Sequence, residues 1–154
     1  MPNWTYNVIE MDGIGRKRSL FSTDKSGNMY FDFNKLIPEP KTAEECIRKY
    51  GEKYIDHGDC ALMHTEDDSW FNWYDWHCGF WGTKWNSVDT LIEEDWVAFD
   101  TAWSAPGPIF IALSKKYPKE KIRVYSDYED GFKTESVYLG GKEVYYKELA
   151  IDNN

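Results

Sequence analysis

The 154 residues carry a net charge of −9, and 42% of them are hydrophobic and 18% aromatic. This length fits a single domain with one core, and the aromatic content argues against a disordered chain. No apolar run approaches the roughly 18 residues of a membrane span, and three cysteines with neither a CxxC pair nor a signal peptide predict a cytoplasmic protein with reduced thiols.

The negative charge is concentrated in the middle of the chain. Residues 56–100 contain eleven acidic residues and one base, Lys84, whereas the rest of the chain has a net charge of +1. Such a surface repels phosphate backbones and attracts basic partners. We therefore expect a protein partner rather than nucleic acid, although a merely solvated surface is the simpler explanation of the acidity.

The first half of the chain predicts a strand, a short helical region or loop, and a further helix. Alternating residues in 4–11 indicate the strand, and 15–23 is the short helix or loop. Thr42 followed by Glu45 has the pattern of a capping box at a helix start. Residues 24–65 then form an insertion or small subdomain within one domain spanning 1–154.

A tryptophan-rich helix is predicted next, after the acidic residues 66–69, which suit a helix N-terminus. Seven of the eight tryptophans lie between positions 70 and 103. Four residues at helical spacings of three and four positions define one side of this helix: Trp70, Trp73, Tyr74 and His77.

The second half predicts strands at 87–93 and 95–103, a helix starting near Pro106 or Pro108, and a strand at 122–128. Gly140-Gly141 marks a final hairpin. The order is βαββαβ with additions. We therefore predict an α+β, ferredoxin-like (split βαβ) antiparallel sheet with helices on one face, a C-terminal β-hairpin extension and an N-terminal insertion.

Candidate binding residues are the polar and aromatic residues of the tryptophan-rich segment: His77, Trp81, Lys84, Trp85, Asn86, Asp100 and Trp103. A structural role is the simpler interpretation. In it, Lys84 pairs with Asp75 or Asp100, and His77 is hydrogen-bonded. One aromatic core cluster contains Trp81, Trp85, Phe99, Trp103, Phe110 and Leu113.

Catalytic and metal-binding motifs are absent from the sequence. There is no nucleophile elbow, phosphate loop, dinucleotide fingerprint or His-Glu-x-x-His. His57, Asp59, Cys60 and His64 have the chemistry of metal ligands, but their spacing matches no zinc motif. We expect no metal, no cofactor and no assigned catalytic residue.

Several segments resemble the YubB ferredoxin-like family of bacterial plasmids, phages and other mobile elements. They are the start Met1-Pro2-Asn3-Trp4, the 31–38 segment, Trp81-Gly82-Thr83-Lys84-Trp85-Asn86, and Phe99 to Pro106. The resemblance implies a ferredoxin-like fold and carries over no catalytic residue, because the family has no established function. Thr5 replaces the family's usual cysteine, and the first helical region is short.

Three functional hypotheses follow. The first is a non-enzymatic module that binds a protein through an exposed sheet face or the acidic aromatic surface. The second is a single-stranded nucleic-acid binder that stacks bases on sheet aromatics. The third is a small hydrolase or transferase built around His77, Lys84 and Asp100. Solvent exposure of the tryptophans and tyrosines distinguishes them, and the sequence specifies no oligomeric state.

Overall fold

The computed structural model describes residues 3–56 and 70–149. These residues form eight strands and three α-helices. The strands are β1 (Trp4–Glu10), β2 (Phe21–Thr23), β3 (Met29–Phe31), β4 (Val88–Ile92), β5 (Trp96–Ala102), β6 (Ile122–Tyr128), β7 (Lys133–Leu139) and β8 (Lys142–Leu149). The helices are α1 (Ala43–Tyr50), α2 (Trp73–Phe80) and α3 (Gly107–Lys116).

Six strands form one antiparallel sheet in the order β4-β5-β1-β6-β7-β8, and β2 pairs with β3 in a small second sheet. Helix α3 joins β5 to β6, which run in the same direction on either side of β1. Helix α2 precedes β4 in the chain, and β5 lies between β4 and β1 in the sheet. This arrangement is the split βαβ topology, so the predicted ferredoxin-like fold is confirmed.

The covered side of the sheet carries the core and a row of buried polar groups. Ile9 pairs with Val97 and Val124 across the three central strands. Next to them, the Asn7 side chain donates to the Thr101 hydroxyl at 2.9 Å and accepts from the Ser126 hydroxyl at 2.8 Å. These bonds satisfy groups that would otherwise destabilise the core.

The other side of the sheet is open to solvent. Tyr6 is 44% exposed on the central strand β1, and Val8 and Tyr125 beside it are half-buried. Alternation along each strand puts these residues opposite the core side chains. The sheet therefore presents Tyr6 and Tyr125 on its solvent-facing side.

Part of the expected insertion packs directly on the core. Phe31 stacks on Phe99 with ring centres 5.2 Å apart, and Phe33 meets Trp81 edge-on at 5.5 Å. All four side chains are fully buried. The β2–β3 hairpin thus contributes to the same hydrophobic core as β5.

Helix starts follow local capping, and one predicted start is wrong. The Thr42 hydroxyl caps α1 by accepting from the Glu45 amide at 3.0 Å, which confirms that prediction. Helix α2 begins at Trp73 because the Asn72 side chain accepts from the Asp75 amide. Trp70 therefore precedes the helix, and the preceding acidic residues 66–69 lie outside the described residues.

The short helical region predicted at 15–23 consists of two 3₁₀ turns, Ile14–Arg16 and Arg18–Leu20, followed by β2. No helix in the described part of the chain is long and apolar enough to cross a membrane.

Candidate functional site

Two of the predicted site residues, His77 and Trp81, are buried in the helix layer. Their rings stack at 4.1 Å, and the Trp81 indole donates to the Ile37 carbonyl at 2.8 Å. The His77 Nδ1 donates to the Lys84 carbonyl at 2.7 Å. Its Nε2 lies 3.2 Å from a Glu39 carboxylate oxygen, outside hydrogen-bonding alignment. Both residues therefore hold local structure.

Asn86 also has structural partners. Its side-chain oxygen accepts from the Phe33 amide at 3.0 Å, and its nitrogen donates to Asp32 at 2.8 Å. These bonds connect the residues before β4 to the turn after β3. Because the two segments are far apart in the sequence, their contact cannot be predicted from it.

Lys84 lies between two indole rings. Its ammonium is 4.4 Å from the ring centre of Trp85 and 4.8 Å from that of Trp103. Within the described residues it forms no ion pair with a carboxylate, so the predicted pairing with Asp75 or Asp100 is wrong. Cation–π attraction and packing of the aliphatic stem hold the side chain instead.

Trp103 is exposed, which corrects its predicted place in the core cluster. Its φ is +71°, in the left-handed region, and Ser104 N donates to the Ala102 carbonyl at 2.9 Å across it. The Trp103 amide donates to the Asn3 carbonyl at 2.7 Å. This tight three-residue turn directs the indole outward, where it is 44% exposed. The predicted cluster is otherwise buried, except that Trp85 is half-buried.

The exposed indole belongs to a larger surface. Tyr74 meets the Trp103 ring at 6.1 Å, and Trp4 meets Trp85 at the same distance. We name Trp4, Tyr74, Lys84, Trp85 and Trp103 the tryptophan–lysine surface. Nothing in the sequence identifies Trp4 and Tyr74 as members, because the strand start, the helix and the loop before β4 meet only after folding.

Asp100 lies on the open face, opposite Tyr6 of β1. Burial, and then the neighbouring Asp89 carboxylate, raise the pKa of its carboxyl group above the usual value. No hydrogen bond or ion pair joins the side chains of His77, Lys84 and Asp100, all of which the structure describes. The geometry thus does not assemble the hydrolase or transferase centre that the sequence allowed.

The thiol of Cys78 gives no support for nucleophilic catalysis either. Burial, and then the nearby Asp75 carboxylate, raise its pKa, which keeps the thiol protonated. The thiolate is the reactive form of cysteine. The possible metal ligands at 57, 59, 60 and 64 lie outside the described residues, and within 3–56 and 70–149 no group of three such side chains could hold a metal.

The comparison with known families agrees with the fold. Residues 80–153 match the family model DUF1281_C, described as a ferredoxin-like domain in Api92-like protein. The crystal structure of protein Api92 from Yersinia pseudotuberculosis is similar over 53% of this chain and 32% of that chain, with 18% identity and a TM-score of 0.46. No curated protein matches the sequence. The chain thus resembles an uncharacterised ferredoxin-like family, and the match spans about a third of the Api92 chain.

Proposed function

We propose that this protein is a non-enzymatic binding module that engages a protein partner through the tryptophan–lysine surface. The observation that supports the proposal most directly is Trp103, a large indole 44% exposed on a left-handed backbone. The proposal includes a YubB-like identity and an origin on a bacterial mobile element, both of which rest on the sequence motifs alone.

The backbone conformation at Trp103 has an energetic cost that the fold tolerates. A left-handed, non-glycine residue costs about 1–2 kcal/mol, and such strain is concentrated at functional sites. An outward indole gains little in the free protein but buries a large area when a partner covers it. Tryptophan is accordingly enriched among residues that dominate interface energetics.

Lys84 indicates the chemistry of the partner. Its ammonium is held between Trp85 and Trp103 and has no carboxylate partner among the described residues. A partner carboxylate placed against this ammonium would form a pair shielded by the two indoles. The preferred ligand is therefore an exposed apolar segment with a single aspartate or glutamate that reaches Lys84, because the acidic residues of this part of the chain would repel a ligand of higher negative charge.

Nucleic acid fits the open sheet face less well. Tyr6 and Tyr125 on neighbouring strands have the placement that stacks bases. However, two basic side chains beside these tyrosines already have acidic partners. Arg123 pairs with Glu135 at 3.3 Å, and Lys133 lies 4.0 Å from Asp127. Phosphates would meet a face with few available cations.

The test is selection of peptides from a random display library on the immobilised protein, followed by affinity measurements on the recovered peptides. We expect peptides that combine apolar residues with a single acidic residue. Trp103→Ala should weaken their binding by about thirtyfold, the effect typical of a dominant interface residue. Lys84→Met should weaken binding of the acidic peptides selectively.

Tyr145→Ala provides the matched control, because Tyr145 is similarly exposed but lies on β8, away from this surface. Peptides that bind wild type and Trp103→Ala equally would contradict the proposed site. A dT20 oligonucleotide should show no measurable binding at physiological salt, and a micromolar, salt-sensitive isotherm would favour the nucleic-acid alternative instead.

A further inference from the structure

A second, smaller site lies between the start of α3 and strands β6–β8. It is a cavity of about 170 Å³ on the helix-covered side of the sheet. Four aromatic side chains and one carboxylate are among the residues that line it: Phe110, Tyr128, Tyr138, Tyr146 and Glu143. None of these residues belongs to the tryptophan–lysine surface.

The carboxylate in this cavity is held in place by a phenol. The Tyr138 hydroxyl donates to a Glu143 oxygen at 3.0 Å. Burial, and then the negative charge of Glu143, raise the pKa of Tyr138 far above its usual value, so the phenol keeps its proton and remains a donor. The second oxygen of Glu143 is available to a ligand.

The cavity has no counter-charge for an anion. Glu143 is negative, and none of the described lining residues is a base. The backbone amides at the start of α3 are already used, since Gly107 N donates to Ala105 O and Ile109 N to Pro106 O, both at 3.0 Å. Phosphates and carboxylates are therefore disfavoured, since the lining supplies no positive charge and these two backbone amides already have partners.

A purely apolar ligand is also disfavoured. Thr134 lines the cavity and is only 8% exposed, and its hydroxyl has no hydrogen-bond partner among the described residues. An uncharged apolar occupant would shut this hydroxyl off from water with no compensating interaction, which is destabilising. A cation, by contrast, is attracted by the negative end of the hydroxyl dipole. The lining combines aromatic rings with a single negative charge and hydroxyl dipoles.

We propose that this cavity is an aromatic cage that binds an alkylated ammonium group, with Glu143 as the counter-ion. Aromatic rings attract such cations through their negative faces, and sets of rings with a nearby carboxylate recognise quaternary ammonium ligands. The volume equals that of about five or six water molecules at roughly 30 Å³ each. A tetramethylammonium ion, which has five non-hydrogen atoms, is of this size.

Two sources could supply this chemistry: a free quaternary amine such as choline, or a methylated lysine on a protein. The net charge of −9 would attract either cation. Tyr146 is half-exposed on the edge strand β8, so this side of the cage is open to solvent.

The test is titration of the full chain with tetramethylammonium chloride, followed by NMR of the tyrosine ring resonances. We expect saturable shifts of Tyr128, Tyr138 and Tyr146, and no saturable response to tert-butanol, an uncharged molecule of similar size. Tyr146→Ala and Glu143→Gln should each weaken tetramethylammonium binding by about fivefold or more, as expected for loss of one cation contact.

Tyr145→Ala is the matched control, because this neighbouring tyrosine is similarly exposed but does not line the cage. It should bind tetramethylammonium like wild type. Equal responses to tetramethylammonium and tert-butanol, equal losses in Tyr145→Ala and Tyr146→Ala, or no saturation would overturn the proposal. Choline and a trimethyllysine peptide, titrated separately, then distinguish the two sources. Because Trp103 lies outside the cage, these results are independent of the peptide selection.

Discussion

Replacing Trp81 and Trp103 separately by alanine tests the division between core and surface. Trp81 is 1% exposed, stacks on His77 and donates to the Ile37 carbonyl. Its truncation leaves a cavity, which costs about 3–5 kcal/mol, and an unpaired carbonyl, which costs about 1–3 kcal/mol. We expect Trp81→Ala to lower the free energy of unfolding by about 4 kcal/mol or more, and Tm by about 8–16 °C.

Trp103→Ala should cost much less. The indole loses one ring contact with Tyr74, worth about 0.5–1.5 kcal/mol, and one cation contact with Lys84, worth about 0.5–1 kcal/mol. Trp103→Gly loses the same contacts but also relieves the left-handed strain of about 1–2 kcal/mol. Glycine should therefore be at least as stable as alanine at this position, the reverse of the usual order.

Urea unfolding followed by circular dichroism is the appropriate assay, because tryptophan fluorescence changes with the mutations themselves. Tyr145→Ala again controls for removal of an exposed aromatic ring. If Trp103→Ala is as destabilising as Trp81→Ala, the indole is a core residue and the proposed binding surface loses its main support. A glycine variant clearly less stable than the alanine variant would contradict the strained turn.

Three further predictions concern charge and backbone packing. Because burial and a neighbouring carboxylate raise the pKa of Asp100 in the folded state, its ionised form disfavours folding at neutral pH. Asp100→Asn should therefore raise the midpoint of urea unfolding at pH 7. This gain should vanish as pH falls and the wild-type carboxyl group is protonated. A lower midpoint at pH 7 would contradict the expected direction of the pKa shift. Gly15→Ala should destabilise the protein by about 2–3 kcal/mol in chemical denaturation, because its Cβ would lie 2.0 Å from the Glu93 carbonyl oxygen. Gly107→Ala is the control and should be nearly neutral, since a Cβ at Gly107 would meet open space. Lys84→Met should lower the free energy of unfolding by only about 1–2 kcal/mol in the same assay, since it removes two cation–π contacts and no ion pair. Lys142→Met should lower it by less. A decrease of about 3 kcal/mol or more for Lys84→Met would indicate a buried charge pair.

Local sequence signals predicted much of the secondary structure. The Thr42 cap, the Gly140-Gly141 turn and the proline-initiated α3 each depend on residues close together in the chain. Hydrophobic alternation in β1 likewise follows from the geometry of a strand. These elements in order were sufficient to indicate the split βαβ topology.

The helix before β4 shows where local signals fail. Both Trp70 and Trp73 fit a helical period, and an acidic run precedes them. The start of α2 is decided by one side chain, Asn72, which bonds to the Asp75 amide. Competing caps a few residues apart differ by little free energy, so the pattern alone selected the wrong one.

The candidate site was predicted only in part. Lys84, Trp85 and Trp103 are recognisable in the sequence because the segment around them is rich in tryptophan and Lys84 is the only base in the acidic stretch. The structure brings these three side chains together. Their roles were misassigned, since Trp103 was expected in the core and Lys84 in an ion pair. The left-handed turn at Trp103 depends on the hydrogen bond to Asn3, a contact between residues a hundred positions apart.

The main order of elements, the charge distribution and the set of aromatic residues available for a core or a surface all follow from local features of the chain. Which indoles are buried, which rings meet Lys84 and which aromatic side chains line the cavity beside Glu143 follow only from packing. The reason is physical: propensity, capping and periodicity act over a few residues, whereas exposure and ring contacts depend on how distant strands and helices pack.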